Sequence, residues 1–181
     1  ASVWFPASGL SFAALLLFGI SAMPALIAAA VVITLWTVNH YQLPLSLDDS
    51  LNAGFLFAMA HLLPYGLGAW LLHWLLPLGQ RHLPKLIVSF LLIAACSSLL
   101  ATALVRTQLV WCQMLPLADV AATWLPFWIG DMAGVLALAP FFIVMLRSFK
   151  KNKRLQLQDL LDMQPIEWNR PLFAKLLLNL L

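Results

Sequence analysis

The first 47 residues contain no Asp, Glu, Lys or Arg; the first formal charge is Asp48. At about 1.5 Å of rise per helical residue, such a run crosses a ~30 Å hydrocarbon core twice, given a turn between the crossings. The rest of the chain is nearly as apolar. Of 181 residues, 63% are hydrophobic and 9% charged, against roughly 25% charged in soluble domains. A water-exposed surface built from this composition would aggregate, so the solvent is lipid. No basic stretch precedes the first apolar segment, and the pattern continues far beyond it, which argues against a cleaved secretory signal.

The sequence predicts an all-α polytopic transmembrane bundle with about five complete spans and the start of a sixth. The first runs from Pro6 to Phe18 and turns at Gly19-Ile20-Ser21-Ala22. The second begins at Met23-Pro24 and ends near Asn39. The third covers Leu51 to about Leu76, the fourth Leu86 to Val105, and the fifth Val120 to Leu146. Three regions follow: a bundle over 1–146, a basic loop with a short amphipathic segment over 147–170, and a further apolar segment over 171–181. The amphipathic stretch, Leu155 to Leu161, reads equally as a helix on the membrane face or as a solvated connector.

Orientation follows from charge. Nine of the ten Lys and Arg residues fall on one side of this scheme, including Arg147, Lys150, Lys151, Lys153 and Arg154. The positive-inside rule makes that side cytoplasmic, with the 147–154 loop inside a bacterial inner membrane. It also places Ala1 outside, which implies an earlier span. The net charge of +3 is thus a topology signal, and no nucleic-acid partner is expected. Cys96 and Cys112 lack metal-type spacing and read as small packing residues. Arg106, ending the fourth span, is expected to snorkel outward.

Asp131 is the sharpest candidate. A carboxylate at membrane depth costs about 2.5–3.5 kcal/mol on insertion scales, so it should face the protein interior and find a partner. Gly130 and Gly134 flank it and let a neighbouring helix come close. His61 falls at nearly the same depth, so an Asp131–His61 pair is expected, either as a protonation-sensitive site or as a hydrogen-bonded lock between helices. The first helix is short, about 20 Å, with Pro6 suited to its first position. It either tilts in a thin region with Trp4 as an interface anchor, or starts below the membrane surface with its positive dipole end buried. Asn39 and His40 close the second span, as a cap or as the border of a ligand entrance. His73 lies twelve residues from His61, too far for a helical metal pair, and reads as a satisfied interfacial imidazole. Trp70 and Trp74 suit the headgroup belt. No catalytic residue, metal or cofactor is expected. Gly130-Asp131 lacks the second carboxylate of an intramembrane aspartyl protease, and Ser21 has no positioned base.

Three blocks of residues add a resemblance. Trp4-Phe5-Pro6-Ala7-Ser8-Gly9 resembles the opening of the first family of membrane-associated sensor domains, the MASE group. Leu67-Gly68-Ala69-Trp70-Leu71-Leu72 is similar to that family's third-helix segment. Trp128-Ile129-Gly130-Asp131, followed by Gly134, Leu136 and Pro140, resembles its W-x-G-D-x-x-G-x-L-x-x-x-P block. The resemblance implies an eight-helix-like sensory input joined to a cytoplasmic histidine kinase, diguanylate cyclase or c-di-GMP phosphodiesterase, with dimerisation through those domains. Its motif residues have no settled chemical role. On the residues themselves, Asp131, His61, Trp128, Trp4, Pro6, Ser8, Gly9 and Asn39 are the candidates for contact with an unknown small molecule. Gly130, Gly134, Gly68 and Pro140 are the candidates for helix packing. A small-molecule transporter or capture component, or an assembly scaffold, remains the alternative, since broken helices and a midplane carboxylate also suit translocation.

Overall fold

The computed structural model describes residues 5–75, 83–111 and 115–151. Trp4, Cys112, the 155–161 stretch and the apolar segment from Pro171 lie outside them. Among the described residues every regular element is helical: α1 (Pro6–Phe18), a 3-10 turn (Gly19–Ala22), α2 (Met23–His40), α3 (Leu47–Leu75), α4 (Leu83–Trp111), a second 3-10 turn (Leu117–Asp119) and α5 (Val120–Lys151). Four stretches are long and apolar enough to cross a bilayer: Pro6–His40, Leu47–Leu75, Pro84–Trp111 and Leu117–Arg147.

The first of those stretches holds two helices running in opposite directions. Phe5 stacks near His61 and the Leu16 carbonyl meets His73, so α1 runs parallel to α3. Met23 approaches Gly66 while Val31 and Thr34 approach Gly54, so α2 runs antiparallel to α3. The reversal sits at Gly19, whose φ of +59° is a left-handed conformation open to glycine. Helix α5 also runs parallel to α1, since Phe5 faces Gly130 and Gly9 faces Leu138. Helix α4 runs against α3 and α5, pairing Gln108 with Ala53 and Ala95 with Trp128.

Helix α1 is the centre of the bundle. All six residues from Phe12 to Leu17 are buried, and the Phe12 ring meets Tyr65 of α3 and Phe90 of α4 edge-on. Helix α2 has no buried residue and lies at the edge. The remaining large apolar side chains, such as Trp70, Trp74 and Leu92, point outward, as they do where lipid is the solvent.

Four helix ends lie beyond the sequence expectation: the start of α3, both ends of α4, which begins at Leu83, and the end of α5, which runs on to Lys151. Helix α3 starts at Leu47 because the Ser46 hydroxyl accepts from the Asp49 N–H at 3.1 Å and donates to the Asp49 carboxylate at 2.6 Å. That is a reciprocal cap of the capping-box type. Helix α4 continues past Val105 to Trp111. Arg106 does not snorkel; it is buried against the start of α5, where its guanidinium donates to the Thr123 hydroxyl and to the Asp119 carbonyl at 3.4 Å. Cys96 is no core residue either, being exposed on the lipid-facing side of α4.

Contact between α1 and α5 is glycine-limited. A Cβ on Gly9 would collide with the Gly134 carbonyl and stand 2.8 Å from the Leu138 Cβ. A Cβ on Gly134 would collide with the Phe5 carbonyl and the Ser8 hydroxyl. Gly66, by contrast, has only the flexible Met23 side chain nearby, at 3.5 Å. Gly9→Ala is therefore expected to destabilise the detergent-solubilised bundle by about 1–3 kcal/mol, and Gly66→Ala to leave it unchanged or slightly steadier, as read by thermal unfolding of the two variants in parallel.

Candidate functional site

Helix α1 covers only part of the bundle's height. Its first turn lies against His61, fourteen residues into α3, which is about 21 Å from the Leu47 end. Its last turn reaches His73, close to the other end of α3. The N-terminus of α1 is therefore buried at mid-depth, with Phe5 as the cap residue and Pro6 in the first turn, where a missing N–H costs nothing. Two contacts hold it to α5. The Phe5 N–H donates to the Gly130 carbonyl at 3.4 Å. The Ser8 hydroxyl reaches both the Phe5 carbonyl, at 2.7 Å, and the Asp131 carbonyl, at 3.0 Å.

Beside this buried terminus is a cavity of about 190 Å³ lined by Phe5, Phe57, His61, Thr102, Val105, Pro126, Phe127, Gly130 and Asp131. The cap residue of α1 and side chains of α3, α4 and α5 all contribute. Proline at 126 lies inside α5, so the helix there lacks one backbone donor and bends readily. The Asp131 carboxyl lies opposite the buried hydroxyl of Tyr65, with the hydroxyls of Ser98 and Ser8 close by. Thr102 carries a buried hydroxyl with no hydrogen-bond partner among the described residues.

Of the residues singled out from sequence, the structure brings Asp131, His61 and Gly130 to one cavity, and sets Pro6, Ser8, Gly9 and Gly134 at the helix crossing beside it. No direct Asp131–His61 bond forms. The His61 Nδ1–H instead donates to the Phe57 carbonyl at 3.0 Å, one turn back on its own helix. Trp128 does not line the cavity; its indole N–H donates to the Ala95 carbonyl of α4 at 3.1 Å. Asn39 is exposed at the end of α2, where its carbonyl accepts from Gln42, remote from the site. Gly68 packs under Ser97 and Phe12, and Pro140 lies inside α5. His73 is satisfied, by the Leu16 carbonyl at 2.8 Å, one of the otherwise unpaired carbonyls at the end of α1.

Sequence reasoning missed the aromatic walls, Phe57 and Phe127, and the hydroxyl group of Tyr65, Ser98 and Thr102. Phe57 and Tyr65 lie one turn either side of His61, so the spacing was there to be read. In an apolar chain nothing marks one face of a helix as the inward one.

Over residues 1–179 the chain matches the MASE1 family. It belongs to that family. MASE1 domains are membrane-associated sensory domains, so this is a multi-pass membrane protein of a sensory family. No curated protein and no solved structure matches it.

Trp128 acts here as a tie between α4 and α5. Trp128→Phe is expected to cost about 0.5–1.5 kcal/mol of bundle stability, the net value of one hydrogen bond, while leaving the cavity's lining intact. Thermal unfolding of the purified variant measures the loss.

Proposed function

We propose that this MASE1 domain is the sensory input of a signal-transduction protein of the bacterial inner membrane, and that the cavity beside the start of α1 is where the stimulus is received. The observation that carries this reading is the helix terminus held at mid-depth against a cavity lined by its cap residue and three further helices. A packed scaffold needs no carboxyl or unpaired hydroxyl bordering an internal cavity, since polar groups are costly to place in lipid. A small molecule there touches α3, α4 and α5 together, and binding that favours one packing of those helices over another transmits by population shift.

In this scheme α2 to α5 cross the membrane and α1 fills its cytoplasmic half, with 41–46 outside and the 147–154 basic loop in the cytoplasm. The output is a histidine kinase, a diguanylate cyclase or a c-di-GMP phosphodiesterase joined to the domain, and dimerisation runs through that output. Lipid is the surrounding partner, and no nucleic acid takes part.

Two measurements test this. In a background with Cys96 and Cys112 replaced by Ser, Ser46→Cys should react with a membrane-impermeant maleimide in intact cells, and Asn152→Cys only after permeabilisation; the reverse pattern overturns the topology. In the full-length protein, Asp131→Asn should shift basal output by roughly five-fold or more, the scale of ordinary allosteric coupling. Unchanged output with normal membrane assembly would remove Asp131 from the sensing path.

A further inference from the structure

The donors and acceptors around the cavity are unevenly matched, and the mismatch points to the chemistry of its occupant. Among the described lining residues Asp131 is the one formal charge, an acceptor when ionised. His61 uses its Nδ1–H on the Phe57 carbonyl, which leaves Nε2 of a neutral ring as a second acceptor. The backbone carbonyls of Gly130 and Asp131 already receive the Phe5 N–H and the Ser8 hydroxyl. Thr102 carries a hydroxyl without a partner among the described residues. An acidic ligand would meet the Asp131 carboxylate, with the Thr102 hydroxyl as the one uncommitted side-chain donor among the described lining residues.

The walls add a second, independent preference. Phe5, Phe57 and Phe127 line the same space, and His61 lies 5.5 Å from the Phe5 ring and 4.6 Å from the Phe57 ring. Aromatic faces present negative potential and attract a cation within about 6 Å, more strongly where water is excluded. The structure already shows such a contact, the Arg106 guanidinium lying 5.3 Å from the centre of Phe127. Arg106 is not among the lining residues; its Nη2 donates to Thr123 and the Asp119 carbonyl, while its Nε and Nη1 have no partner among the described residues. A volume near 190 Å³ is somewhat larger than a cavity that holds benzene and well below that of drug-sized sites.

We propose that the cavity takes a small organic ammonium ion, its charged nitrogen on Asp131 and His61 and its carbon skeleton against Phe5, Phe57 and Phe127. This deepens the sensory reading and rests on it for biological meaning, but its test reads binding alone and does not depend on signalling output.

The test is calorimetric titration of the full chain in lipid nanodiscs with three probes of near-equal shape: benzylammonium, benzyl alcohol and benzoate. Benzylammonium should bind at least roughly ten-fold more tightly than benzyl alcohol, or 1.4 kcal/mol, and benzoate should not bind. Asp131→Asn should abolish the preference for the ammonium while leaving weak binding of the alcohol. Should that variant fail to assemble, Phe57→Leu serves instead, and should narrow the ammonium-to-alcohol ratio by removing one π face. Equal binding of ammonium and alcohol, preference for benzoate, a preference that survives Asp131→Asn, or no binding of any probe overturns the proposal. A loss of output in Asp131→Asn alongside equal binding would leave the sensory reading standing and the ammonium assignment refuted.

Discussion

Lipid supplies no hydrogen bonds, so every backbone group of this chain must be satisfied by protein or reach the membrane surface. The start of α1 lies at mid-depth and meets that demand through α5: the Gly130 and Asp131 carbonyls accept from the Phe5 N–H and the Ser8 hydroxyl. Such contacts need backbones closer than side chains ordinarily allow, and Gly9 and Gly134 permit it. The position of the cavity follows. Because α1 stops at that level, the space beyond its end is bounded by α3, α4 and α5 and floored by Phe5.

The helical architecture was largely legible in the sequence, for a physical reason: long uncharged runs admit few alternatives. Pro6, Gly19 and Met23-Pro24 fixed the bounds of α1, its turn and the start of α2, because proline and glycine act through local backbone geometry that needs no knowledge of neighbours. The start of α3 was misplaced by four residues because Asp48 and Asp49 read as loop charges, although Ser46 three residues before Asp49 is a capping signature. The end of α4 was misplaced because Arg106 was taken as a terminus. A guanidinium buried by tertiary packing against Thr123 leaves no trace in its own segment.

The site was legible in part. A lone carboxyl in an apolar helix stands out, and so do the glycines around it, and the structure places Asp131 and Gly130 at the cavity and Gly134 at the crossing beside it. Depth counting brought His61 to the right level, yet its bond went to its own helix rather than to Asp131. Depth is set by residue count; azimuth is set by packing, and a sequence apolar on all faces does not encode it. For the same reason Trp128, beside the key carboxyl in sequence, points to α4 instead of the cavity.

Hydrogen bonds tie the two ends of α1 to different helices. Ser8 binds α5 near the start, and His73 of α3 binds the Leu16 carbonyl near the finish. The short helix is thus a diagonal brace between α3 and α5. Sliding α3 past α5 along their length would break one of these two hydrogen bonds. A change in packing beside Asp131 therefore bears on the same short helix that His73 holds at its other end.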